Sequence, residues 1–192
     1  MSVVSKQSTL TVDEYLQGEL VSDTKHEFVD GQVYAMAGAS INHERISGNI
    51  FGELRNHLKG SPREALSSDM KVKARDNFYY PDVLVDCKFD NATPYYSETP
   101  VIIVEVLSRS TRKLDETKKL VEYLNIPTLQ EYVLIEQDFA DVTVYRKSDD
   151  WRCKHYFLGD DITFESINFT VSVEEIYDRV DNLDVIEYLQ QK

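Results

Sequence analysis

Along the chain the spacing of apolar positions changes several times, and each change marks a boundary between elements. TVDEYLQGE opens with a Thr able to cap a helix and carries an acid three residues on, which predicts a short N-terminal helix. HEFVDGQVYAM places Asp30-Gly31 between two alternating runs and predicts a β-hairpin with strands near 26–29 and 32–36. From 42 to 59, Ile46, Ile50 and Leu54 recur at four-residue spacing with Phe51 and Leu58 close by, the stripe of an amphipathic helix that also puts His43 on its inward side. After Ser61-Pro62 the pattern predicts strands near 64–67, 70–74 and 82–87, then a loop at 90–100. VIIVEVL at 101–107 is β-branched and nearly continuous, as a central strand should be. A helix at 113–124 stops short of Pro127, EYVLIEQ and DVTVYRK predict two further strands, shorter ones follow near 153–158 and 161–164, and SVEEIYDRV predicts a closing helix. This order fits an α/β sandwich built on a mixed sheet.

Composition narrows the picture without changing it. With 192 residues, 42% of them hydrophobic, the chain suits one well-buried core, and a single domain over 1–192 is expected. Cys87 and Cys153 are too few and too far apart for a disulfide framework or a four-ligand zinc site. The N-terminus MSVVSKQSTL has no apolar signal core, and no run approaches the roughly 18 apolar residues of a membrane span, so a soluble, cytoplasmic protein is expected.

Charge complicates the choice of partner. The net charge of −13 argues against a broad electropositive surface for nucleic acid, yet the bases cluster as Lys59, Arg63, Lys71, Lys73 and Arg75 before YYPD and as Arg109, Arg112, Lys113, Lys118 and Lys119 after IVEVLS. Taken singly, each run also reads as a solvated face.

Two acids stand out against the apolar pattern. Asp82 starts the strand YYPDVLVDC and Glu105 lies near the end of PVIIVEVLS, where a lone buried carboxylate would cost several kcal/mol. If the two strands are neighbours, the carboxylates converge at one sheet edge, and a pair of oxygen ligands is what Mg²⁺ usually takes from a protein. On the helix that follows, Asp115, Lys119 and Tyr123 fall within about 80° of one another, opposite Leu114, Leu120, Val121 and Leu124. By spacing alone, Asp115–Lys119 reads either as a surface ion pair or as part of the same site. His43-Glu44-Arg45-Ile46-Ser47 lacks the second histidine of a metalloprotease helix, and there is no Gly-rich phosphate loop.

Pro81-Asp82 followed by Glu105-Val106-Leu107 resembles the metal-binding core of the PD-(D/E)XK nuclease superfamily. More specifically, HEFVDGQVYAMAG, INHERISGNI, YYPDVLV, IVEVLSRSTRKLDETKKLVEY and LQEYVLI resemble the Uma-two family of restriction-endonuclease-like proteins over nearly the whole chain. The resemblance implies a restriction-endonuclease-like mixed β-sheet flanked by helices, with an N-terminal β-hairpin and an acidic core at the sheet edge. It implies Asp82 and Glu105 as ligands of Mg²⁺ or Mn²⁺, Glu27 as a third oxygen ligand or the holder of a ligand water, and His43, Asp115 and Tyr123 as supporting residues. The superfamily lysine, two residues after the second acid, is here Leu107. Lys119 stands where this family carries a lysine and is expected to supply the missing cation.

The activity so implied is metal-dependent endonucleolytic hydrolysis of DNA, with homodimerisation or a partner protein making up for the acidic net charge. Two alternatives stay open: a nuclease scaffold serving as a binding or regulatory module, and an interaction protein in which Asp82 and Glu105 merely pair with Lys and Arg.

Overall fold

A computed structural model describes residues 9–87 and 94–192. The chain runs α1 (Val12–Glu19), β1 (His26–Val29), β2 (Gln32–Ala35), α2 (Ile41–His57), β3 (Glu64–Ser67), β4 (Lys71–Ala74), β5 (Asn77–Tyr79), β6 (Val83–Asp86), β7 (Tyr96–Ser97) and β8 (Pro100–Leu107). One helical segment follows, made of α3 (Arg112–Leu114), a π-turn (Asp115–Lys119) and α4 (Leu120–Leu124). Then come β9 (Glu131–Glu136), β10 (Val142–Arg146), β11 (Cys153–Tyr156), β12 (Asp161–Phe164), β13 (Phe169–Ser172), α5 (Val173–Ile176) and α6 (Leu183–Gln191). No helix among the described residues is long and apolar enough to cross a membrane.

The fold is the expected mixed α/β one, but its strands divide. A six-stranded sheet has the order β11-β10-β9-β8-β6-β3, a five-stranded sheet β2-β1-β5-β4-β7, and β12 pairs with β13. Within the larger sheet only β8 and β9 run parallel, and the helical segment from Arg112 to Leu124 makes the crossover that such a pair needs. The hairpin turns on Asp30 and Gly31, both at positive φ (52° and 78°), as the favoured two-residue hairpin loop demands.

Side-chain alternation along β8 sorts the core into two. Ile102, Val104 and Val106 face α2 and α5 in one apolar cluster, while Ile103 and Leu107 face the other way, toward the five-stranded sheet and Tyr123. Glu105 is in phase with Ile103 and Leu107, so it enters the layer between the two sheets. The helical segment is covered on both sides there. The five-stranded sheet was not foreseen as a separate layer because β5 and β7 span only three and two residues, too short to show a period. Of the expected loop at 90–100, residues 90–93 lie outside the described residues. SVEEIYDRV is helical only over Val173–Ile176, and the last helix, capped by Asn182, was not expected.

Candidate functional site

Asp82 immediately precedes β6, which pairs antiparallel with β8 in the register Val83↔Val104. Continued by one residue, this register sets Asp82 across from Glu105. The backbone N–H of Val106 donates to Asp82 Oδ2 at 2.7 Å and fixes the carboxylate against the end of β8. On its far side, His43 Nε2 lies 3.3 Å from the same oxygen. His43 is delivered by the first turn of α2, whose cap Ser40 accepts the His43 N–H and donates to Gln137, which in turn donates to the Leu107 carbonyl. The start of α2 is thereby tied to the end of β8.

Glu105 is 3% exposed and Oε1 accepts from both Lys119 Nζ and Tyr123 OH at 3.1 Å. Lys119 is equally buried, and its ammonium meets Glu27 Oε1 at 2.8 Å and Asp115 Oδ1 at 3.1 Å as well. The Asp115 contact is an ion contact without hydrogen-bond alignment, since Asp115 Oδ1 is buried with no hydrogen bond. Glu27 also accepts the Tyr80 N–H at 3.2 Å. The surface ion pair that spacing allowed is thus replaced by a buried cluster, because the helical segment is covered by a sheet on either side.

The π-turn shapes this cluster. A uniform α-helix would spread Asp115, Lys119 and Tyr123 over about 80°. The π-turn over the first of the two steps drifts the opposite way, so Asp115 returns over Tyr123 and the spread of the three falls to about half. All three are buried. Tyr132 OH donates to the Asp115 carbonyl at 3.1 Å, a group that a widened turn leaves short of an α-helical partner. Tyr79, Tyr123, Tyr132 and Tyr145 form a ring-to-ring ladder beneath, with neighbouring centroids 5.4 to 6.1 Å apart.

Four carboxylates, from Glu27, Asp82, Glu105 and Asp115, face one permanent cation. Burial, opposed by Lys119 and reinforced by Asp115, Asp82 and Glu27, pushes Glu105 well above the usual carboxylate range. Burial pulls Lys119 down, but Glu105, Glu27 and Asp115 outweigh it and hold the amine charged. Burial likewise opposes the charge on His43, and Asp82 outweighs it, leaving that imidazole more basic than usual. Tyr123 is driven well up by burial and by Glu105, so it remains a neutral donor.

Among the described residues no three His, Cys, Asp or Glu side chains are arranged to hold a metal ion. A two-carboxylate site fits better. Asp82 Oδ1 and Glu105 Oε2 have no hydrogen-bond partner among the described residues, the donors are hard oxygens, and the uncompensated negative charge calls for a cation. Leu107, at the place of the superfamily lysine, packs in the same apolar cluster as Tyr123 and Tyr132. An ammonium from that position would have to pass through this packing, whereas Lys119 reaches Glu105 from the helix. Spacing did not single out Tyr132 or Tyr79; a strand aromatic is ordinary core by pattern, and only the tertiary packing brings its hydroxyl to a buried group.

The sequence profile of the Uma2 (Uma-two) family, described as "Putative restriction endonuclease", matches residues 12–173, a span that contains every residue of this cluster. The chain belongs to that family. Two uncharacterized proteins of Synechocystis sp. share 37% identity with it, one over 173 residues (88% of this chain and 91% of that protein), the other over 155 (78% and 88%). In three dimensions the chain is similar to a crystal structure from Anabaena variabilis described as "a putative nuclease belonging to DUF820". The TM-score is 0.75 at 17% identity, covering 90% of this chain and 99% of that one. At that identity the likeness establishes the fold, which is restriction-endonuclease-like, as the resemblance implied. The site residues of this Uma2 protein rest on the geometry above.

Proposed function

We propose that the protein is a divalent-metal-dependent endonuclease hydrolysing phosphodiester bonds in DNA. The observation that carries this reading is the convergence of Asp82, Glu105 and Lys119, two strand-end carboxylates and a buried ammonium that shares Glu105. Asp82 and Glu105 would hold Mg²⁺ or Mn²⁺ through the oxygens left without partners, with Glu27 the nearest further carboxylate of the cluster. When bound, such a cation polarises a phosphate and lowers the pKa of the attacking water. Lys119 places positive charge where negative charge develops on the phosphate, the role the superfamily gives to the lysine replaced by Leu107. Asp115 and Tyr123 position Lys119 and Glu105; His43 orients Asp82.

Nine of the ten clustered bases divide by whether they are already engaged. Arg112 pairs with Glu136, Lys73 with Glu98, Lys118 with Asp30, and Arg63 donates to the Ser166 carbonyl, while Lys71 and Lys119 are buried. Lys59, Arg75 and Lys113 have no ion-pair partner among the described residues. So thin a basic surface supports a second copy or a partner protein as the source of DNA affinity. It also favours a second reading, a catalytically idle module on a nuclease scaffold.

Calorimetric Mn²⁺ titration decides first between the two, on the unaltered protein and on folded Asp82→Asn and Glu105→Gln variants. Saturable binding lost in both variants, followed by metal-dependent nicking of supercoiled plasmid, is the expected result. Binding that survives both substitutions would remove Asp82 and Glu105 from the site.

A further inference from the structure

Lys119 occupies a place that a metal reading would leave to a metal. Its ammonium lies in a nest of acids, with Glu27 Oε1 at 2.8 Å and Glu105 Oε1 and Asp115 Oδ1 both at 3.1 Å, and its side chain is 3% exposed. The face of Tyr79 also stands against the ammonium, 5.5 Å from ring centroid to Nζ. At 3% exposure, with three carboxylates and a ring against it, the ammonium is closed to a phosphate in this arrangement. Yet the role proposed above needs Lys119 at a phosphate. The same Glu105 that holds the ammonium is one of the two carboxylates assigned to the metal, and a dication drawn to Glu105 meets a fixed positive charge on the adjoining oxygen.

We propose that Lys119 is the resident counter-ion of the cluster, and that divalent-metal binding at Asp82 and Glu105 drives its ammonium off Glu105 into the cleft, where it meets the phosphate of the nucleic acid. This rests on the metal-dependent reading. Metal and lysine then exchange places in one event. The unliganded protein keeps its acids neutralised by its own lysine, and it binds metal weakly until a phosphate receives the ammonium. Lys119 is held from the hairpin by Glu27 and from its own helix by Asp115, so its release loosens one ion pair between the five-stranded sheet and the helical segment and one within that segment, without breaking any backbone ladder. Mn²⁺ binding is thereby regulated by substrate, and a protein without nucleic acid is spared an assembled hydrolytic centre.

Two measurements test the exchange. In the first, Mn²⁺ is titrated calorimetrically into the unaltered protein and into Lys119→Met. The expected result is binding at least about ten-fold tighter in the variant, because the competitor is gone. Equal or weaker binding in the variant overturns the proposal while leaving the metal site standing. Absence of binding in both at millimolar Mn²⁺ removes the metal reading and this inference with it. In the second, which needs no variant and so does not depend on Lys119→Met folding, the unaltered protein is reductively methylated with and without Mn²⁺ and each lysine is followed by mass spectrometry. Lys119 is expected to become several-fold more reactive with Mn²⁺ while Lys147, at the far end of the larger sheet, does not change; a Lys119 rate that Mn²⁺ leaves unaltered overturns the exchange.

Discussion

Glu105 places a carboxyl group where charge is costly. It sits in a strand that is buried along its whole length, within a cluster that holds three other acids, and its folded-state pKa is raised above that of a free carboxylate. A carboxyl group raised in this way contributes its stability below the unfolded value and loses it as pH rises, so above the unfolded value the group works against the fold. Glu105→Gln is therefore expected to stabilise the metal-free protein, by on the order of 1 kcal/mol in urea unfolding at neutral pH, while abolishing Mn²⁺ binding. A loss of stability in that variant would show that Lys119 needs the Glu105 charge more than the fold suffers from it. This cost was partly legible in the sequence, since VIIVEVL is too apolar to carry an acid without a reason. The identity of the compensating cation was not, because a four-residue step on a helix looks the same whether its polar face is wet or covered.

At the scale of elements, the hairpin carries Glu27 to the cluster, and its turn leaves little freedom. Gly31 has φ of +78°, and a Cβ there would stand 2.9 Å from the Thr9 Cβ. Gly31→Ala is expected to cost about 1–2 kcal/mol in urea unfolding, through backbone strain and contact with the segment before α1. The hairpin was readable from Asp30-Gly31 because turn chemistry is local; β5 and β7, which make it part of a five-stranded sheet, were not, because pairing partners so short are chosen by tertiary contact. A second element-scale expectation concerns α6, which packs against the start of α5. Glu174, at the start of α5, accepts from Tyr188 and Lys192 of the C-terminal region and from the Gly159 N–H, and these bonds, led by that from Tyr188, lower its pKa to about 2. A carboxylate depressed in this way stabilises the fold above its unfolded value of 4.5 and ceases to do so as pH falls through about 2. Unfolding midpoints followed downward from about pH 5 should thus fall more steeply for the unaltered protein than for Glu174→Gln.

At the scale of the whole molecule, the net charge of −13 and the engagement of most clustered bases limit what phosphate contacts can contribute. If Lys59, Arg75, Lys113 and the loosely paired Arg109 supply the contacts, binding of duplex DNA by one copy should show a log–log salt slope of about −4 or shallower. A much steeper slope measured by fluorescence anisotropy would mean that a second copy, or bases released from their ion pairs, joins the interface. The acidic balance was visible from composition, whereas the pairing that silences Arg112, Lys73 and Lys118 emerges only once β9, the Glu98 turn and the hairpin come together.

The widened turn from Asp115 to Lys119 has a genetic reading as well. It differs from an α-turn by about one residue, which is the change that a single inserted codon makes. Removing one codon from its exposed side, at Glu116 or Thr117, would leave every acid of the cluster and the lysine in the gene and return an ordinary α-turn, with Asp115 still within about 30° of its present direction over Tyr123. Substitution and codon deletion thus separate two properties: one removes a charge and keeps the widened turn, the other keeps every charge of the cluster and removes the widened turn.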